Sequence, residues 1–115
     1  MEKIIIDATG KRVGRIASRA AALLMGKGKP SYERHILPHV AVEITHASRI
    51  LTTGKKMSST HHKRYSGFHG GLKTETLNQI AAQKGFREII RHAIRGMVRR
   101  NKLHKQIMKN LTIVE

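Results

Sequence analysis

The chain has no cysteine and no tryptophan, and only two Tyr and two Phe among 115 residues. The lack of cysteine excludes a disulfide framework and a thiolate metal site, and suits a reducing cytoplasm. The scarcity of aromatics argues against an aromatic base-stacking sheet and against a single-strand stacking groove. Any bound RNA must then be met mainly through backbone charge and shape. Long apolar runs are also missing. The longest, Ala20 to Met25, is too short to cross a bilayer, so no membrane partner is expected. The opening MEKIIIDATG is too short and too acidic for a signal peptide. Acidic residues number only seven (Glu2, Asp7, Glu33, Glu43, Glu75, Glu88 and Glu115), and no two have a convincing acid/base spacing. Asp7, at a strand end, alone has an active-site-like address, yet it can equally pair with a nearby Arg or bond local N–H groups. A two-histidine ribonuclease has no marked pair. No enzyme and no small-molecule substrate are expected.

Against these absences stand 23 Lys and Arg, giving a net charge of +16. The cations are woven through patterned sequence, which implies a folded core with a self-repelling cationic shell that needs a polyanion. Nucleic acid is the first candidate, because each neutralised phosphate releases a counterion; an acidic membrane surface is the rival. Length and composition predict one domain over residues 1–115 with a small core.

Lys3 to Ala8, with Ile4, Ile5 and Ile6, predicts a short buried strand ended by Thr9-Gly10. Val13 to Met25 carries apolar residues at helical spacing and stops at Gly26. His39 to Thr45 alternates as a second strand, and Ser48 to Thr53 is extended or irregular until Gly54-Lys55-Lys56. From Met57 to Gly71 periodicity disappears, so a basic, glycine-containing loop with room for a short strand is expected at about 55–73. Thr76 to Lys84 reads as a short helix, Phe86 to Arg100 as the clearest helix, Leu103 to Lys109 as another, and Leu111 to Val114 as extended. Strands alternating with helices predict an α/β sandwich around a small, mostly parallel sheet.

Three constellations carry chemistry. Arg87, Arg91, Arg95 and Arg99 recur every four residues, and residues 84–109 hold nine basic side chains against Glu88 alone. Each step of four drifts about 40°, so the row stays on the polar half of a helix. Planar guanidinium groups suit phosphate. A solvated helix face normally mixes both signs, and this one does not. Second, Gly10-Lys11-Arg12-Val13-Gly14-Arg15 leads a strand into a helix, where free N–H groups favour an anion. Its spacing is neither G-x-G-x-x-G nor a P-loop, which leaves a structural turn with added phosphate contacts and implies no nucleotide cofactor. Third, in His61 to Gly71, Lys63 and Arg64 can sit between phosphates, and the glycines permit close approach. Tyr65 and Phe68 can stack on a splayed base or anchor the loop. His61, His62 and His69 have no Cys or nearby carboxylate beside them, so no metal is expected.

These segments, in this order, resemble the universal large-subunit ribosomal protein family numbered thirteen, bacterial type. The resemblance rests on Ile6-Asp7-Ala8-Thr9-Gly10-Lys11, Gly14-Arg15-Ile16-Ala17-Ser18 and Gly26-Lys27-Gly28-Lys29-Pro30. It continues through Thr53-Gly54 with Lys56, Ser66-Gly67-Phe68 and Gly70-Gly71-Leu72-Lys73. It ends on Ala93-Ile94-Arg95-Gly96-Met97-Val98, Asn101-Lys102-Leu103, Met108 and Leu111. The family implies a three-layer α/β/α domain in the cytoplasmic ribosome that binds large-subunit ribosomal RNA and aids early subunit assembly, beside neighbouring large-subunit proteins. It implies no catalysis and no cofactor. Carried over, its motifs imply RNA contact at Lys11, Arg12, Arg15, Lys27, Lys29, Lys55, Lys56, Arg64, Ser66, Gly67, Gly70 and Gly71, and at Arg95, Arg99, Arg100, Lys102 and Lys105. Lys63 and Arg91 join them from the loop and helix readings above. This chain departs from the family pattern at His46, His69 and His104, and at Val98-Arg99 where Leu-Pro is usual. Losing that proline is expected to let the last long helix run on through Arg99 and Arg100. The resemblance further implies a shortened member, without the terminal extensions of many relatives.

Overall fold

A computed structural model describes residues 1–52 and 54–115; the Thr53 part of the Thr53-Gly54 motif lies outside them. Strand β1 (Glu2–Asp7) leads into helix α1 (Val13–Leu24), which returns the chain to β2 (Val40–Thr45). A 3₁₀ turn (Ala47–Arg49) and α2 (Gly54–Ser59) precede β3 (His61–Tyr65) and β4 (Leu72–Thr76). Then come α3 (Leu77–Lys84), α4 (Phe86–Met97), α5 (His104–Lys109) and β5 (Leu111–Ile113). The three-stranded sheet is parallel, in the order β1-β2-β5, with Ile6 opposite Ile44 and Ile44 opposite Ile113. The α/β class and small parallel sheet are as expected.

Period-two alternation puts Val40, Val42, Ile44, Ile6, Leu111 and Ile113 on one buried face. Helices α1 and α4 pack together with that face, contributing Ile16, Ala17, Ala20, Leu24, Ile90 and Ile94 to one core. The helices gather on this side because the strands step across the sheet in one direction. Two right-handed crossovers in the same direction put both connections on the same face, whereas helices on both faces need a reversal of strand order. The other face carries Lys3, Ile5, Glu43 and Thr112, with Ile5 64% exposed. The sandwich is therefore filled on one side of the sheet.

Helix α1 ends in a Schellman motif: the Gly26 N–H donates to Leu23 O, the Lys27 N–H donates to Ala22 O, and Gly26 sits at φ +75°. Helix α3 begins with a reciprocal capping box between Thr76 and Gln79. A second, smaller core of Met57, Leu77, Ile80 and Ile89 joins α2, α3 and α4. Helix α4 thus serves both cores, Ile90 and Ile94 turning to the sheet and Ile89 to the smaller cluster.

Two sequence expectations are corrected here. The stretch expected as a loop at about 55–73 is mostly regular: residues 54–59 form α2, and β3 pairs antiparallel with β4 from His61–Thr76 to Tyr65–Leu72. Only Ser66 to Gly71 remain as a turn. Neither strand faces a core, so no apolar alternation is written in either, and cross-strand backbone bonds define the hairpin instead. The expected helical run through Arg99 and Arg100 stops at Met97. Val98 is extended (ψ 136°) and fully buried, so core packing ends the helix where proline does not.

Candidate nucleic-acid interface

The hairpin and helices α3, α4 and α5 enclose an open cleft of about 850 Å³. Six Lys and Arg line it, Lys63 and Arg64 from β3, Lys84 from α3, Arg95 from α4, Arg100 from the following segment and Lys105 from α5, against only Glu75 and Glu88. Of the sequence-predicted residues, Lys63, Arg64, Arg95, Arg100 and Lys105 therefore converge. Lys84, His92 and His104 were missed. His92 had a legible signal, because Glu88, His92 and Arg95 at i, i+4 and i+7 form one helical stripe. Lys84 was legible only as one of the nine basic residues of 84–109, since the turn at Gly85 (φ +80°) re-aims α4 relative to α3.

The hairpin wall is electrostatically strained. Arg64 lies directly opposite Lys73, and like charges in cross-strand register repel. Glu75 offsets part of this through an exposed 3.4 Å contact with Arg64. The ring of His62 stacks on that of His92, centroids 4.0 Å apart, and ties the hairpin to α4. Partial burial, and then the neighbouring His92, hold the His62 pKa below its usual 6.5. At the tip, Gly67 and Gly70 have φ of +92° and +72°, while a Cβ on Gly71 would lie 2.0 Å from Ser66 Oγ. Glycine is required there by the turn itself. Phe68, at the same tip, is 79% exposed and does not anchor it.

The other predicted residues surround the cleft without lining it. Lys11, Arg12 and Arg15 are exposed at the β1–α1 turn. That turn is locked by Asp7, whose Oδ1 accepts from the Thr9 N–H (2.9 Å) and hydroxyl (2.8 Å) and contacts His46 Nδ1 at 3.2 Å. The Thr9 bonds to the charged form hold the Asp7 pKa at about 2. His46 occupies a left-handed conformation (φ 57°), which short polar side chains such as Asn tolerate; its ring instead bonds Asp7. Lys55 and Lys56 are exposed on α2, and Arg91 and Lys102 are likewise exposed. Lys27 is exposed on the turn after α1, where Lys29 pairs with Glu2.

Arg99 needs correcting as a free cation. Its Nη1 donates to Tyr32 Oη at 2.9 Å, its guanidinium lies over the Tyr32 ring, and its Nε and Nη2 are buried. It fastens the segment after α4 to the loop after α1. The four-residue arginine row is therefore three residues long on the surface: Arg87, Arg91 and Arg95.

The family model described as Ribosomal protein L13 matches residues 1–115. The chain is 38% identical over 109 residues to the large ribosomal subunit protein uL13 of Caldanaerobacter subterraneus subsp. tengcongensis, covering 95% of this chain and 76% of that protein. The uL13 proteins of Trichormus variabilis (38% over 109 residues, 95% and 72% covered) and Microchaete diplosiphon (39% over 112 residues, 97% and 74%) are similar to the same extent. No helix among the described residues is long and apolar enough to cross a membrane. The chain belongs to the ribosomal protein L13 family, a family of structural, non-enzymatic proteins of the large ribosomal subunit.

Proposed function

We propose that the protein is a structural constituent of the large ribosomal subunit that binds large-subunit rRNA by neutralising backbone phosphates and matching its shape, and supports early subunit assembly. It would act in the cytoplasmic ribosome beside other large-subunit proteins. The observation that carries this reading is the cleft, where six Lys and Arg from separate elements meet two Glu. Such a surface concentrates unrelieved positive potential, and the Arg64–Lys73 juxtaposition adds repulsion that a phosphate between them removes. The glycine tip allows an RNA backbone to approach closely. The β1–α1 turn (Lys11, Arg12, Arg15), the turn after α1 (Lys27, Lys29) and helix α2 (Lys55, Lys56) extend the contact beyond the cleft. Lys63, Arg64, Arg95, Arg100 and Lys105 form its centre, and Arg91, Lys102 and the tip residues Ser66, Gly67, Gly70 and Gly71 flank it.

The salt dependence of binding to deproteinised large-subunit rRNA tests this. About eight contacted phosphates give a slope of log affinity against log salt near −7. A slope shallower than about −3 defeats the extensive-backbone reading. For assembly, the protein should already accompany pulse-labelled precursor particles on sucrose gradients; appearance only in mature subunits contradicts an early role.

A further inference from the structure

A second pocket, of about 240 Å³, shares His62 and His92 with the basic cleft. Met57, Leu77 and Ile89 of the smaller core lie in its lining, with Ala93 from α4 and the half-exposed Leu51. Arg12 and Lys56 also line it, and among the described residues no acidic one does. We propose that this pocket receives one nucleobase extruded from the bound rRNA strand, with Arg12 and Lys56 meeting its flanking phosphates.

Four observations converge on that occupant. The volume falls below the roughly 300–1,000 Å³ of pockets for drug-sized molecules, on the scale of a single planar ring system. The lining pairs an apolar floor with two imidazole rings, and His is among the side chains on which unstacked RNA bases lie. The Thr52 and Thr60 hydroxyls supply donors and acceptors for a base edge. Finally, two cations without an acid fit the phosphates that must accompany a base, whereas an apolar side chain from a neighbouring protein leaves both unanswered. The pocket lets a chain with almost no aromatic residues stack a base on histidine. It also gives Arg12 and Lys56, which lie outside the basic cleft, a common ligand.

The inference rests on the rRNA-binding reading, and the experiment separates the two. Full-length wild type is compared with Gly14→Leu and Leu51→Trp, both designed to close the mouth. Gly14 and Leu51 line the pocket, a Cβ on Gly14 meets nothing within 4 Å, and Leu51 is 50% exposed, so neither change burdens folding. Affinity for deproteinised large-subunit rRNA is measured together with single-nucleotide chemical probing. Wild type should protect one unpaired base set apart from the backbone footprint. Both variants should leave that base reactive, bind about tenfold more weakly, as for loss of one stacked base, and keep the remaining footprint. Folded variants with wild-type affinity and an unchanged pattern overturn the pocket while leaving rRNA binding intact. A wild type that binds no rRNA overturns the parent reading and this one with it. Quenching of free 2-aminopurine riboside monophosphate, with no base protected in rRNA, marks a free-nucleotide site and overturns the assignment to RNA.

Discussion

The parallel sheet and the β3–β4 hairpin are both built from short strands but held by different forces. Val40, Val42 and Ile44 of the sheet are almost wholly buried, and each such side chain contributes about 1.5–3 kcal/mol through burial. Most hairpin side chains face water. Its cross-strand ion pair, Arg64–Glu75, is worth less than about 1 kcal/mol, and Arg64 opposes Lys73. The backbone ladder, the glycine tip, contacts with α2 and α3, and the His62–His92 stack do the rest. Stability and function are thus segregated. The sheet supplies rigidity, and the hairpin carries charges that a stable, uncomplexed fold would avoid.

The contrast is broken most forcefully at the core. Ile94→Ala, fully buried on the helix shared by both cores, should cost about 2–5 kcal/mol in urea denaturation; a loss under about 1 kcal/mol would mean that α4 is loosely packed. Reversing cleft charge should do the opposite. Arg95→Glu with Arg100→Glu leaves the unfolding midpoint nearly unchanged, since both side chains are exposed. The rRNA affinity should fall about a hundredfold at low salt, and the salt slope should flatten by about two. Equal affinity would reduce the cleft to a solvated face. Adding Arg99→Glu would confuse this test, because Arg99 is fastened to Tyr32. Gly71→Val should weaken rRNA binding about tenfold while sparing the core. Its Cβ would press on Ser66 Oγ and, at 2.9 Å, on Phe68 O, which forces the tip open. Wild-type binding would place the tip away from RNA.

The buried half of this fold was legible because burial writes periodicity. Val40, Val42 and Ile44 alternate, and Ile90 and Ile94 recur with the helix, so β2 and α4 are written in the sequence itself. The hairpin was not, because His61 to Tyr65 are polar on both faces and their pairing depends on partners across the turn, from Leu72 to Thr76. The filling of one sheet face alone was also hidden, since it follows from strand order rather than from any local pattern. At the site, residue type could be read but not direction. Arg95 and Arg99 occupy equivalent steps of one helical row, yet the chain turns at the buried Val98 and sends Arg99 inward to Tyr32.

The smallest expected effect is the sharpest probe of how the two regions differ, because each carries its own titration. In the folded chain, burial and His92 depress the His62 pKa, and Glu75 only partly opposes them. The unfolded chain therefore takes up this proton first. Stability contributed around His62 is intact above about pH 6.5 and falls as pH drops through that value. Asp7 titrates in a separate window. Its folded pKa of about 2 lies below the unfolded value of about 3.9, so its contribution persists above about pH 4 and is lost toward pH 2. On acidification, NMR should record loosening of the hairpin against α4 well before the β1–α1 turn responds. His62→Phe, which can still stack but cannot titrate, should abolish the first transition and leave the second in place. A His62 that titrates above 6.5 would mean that pairing with Glu75 outweighs burial, and that the hairpin is held by charge rather than by stacking.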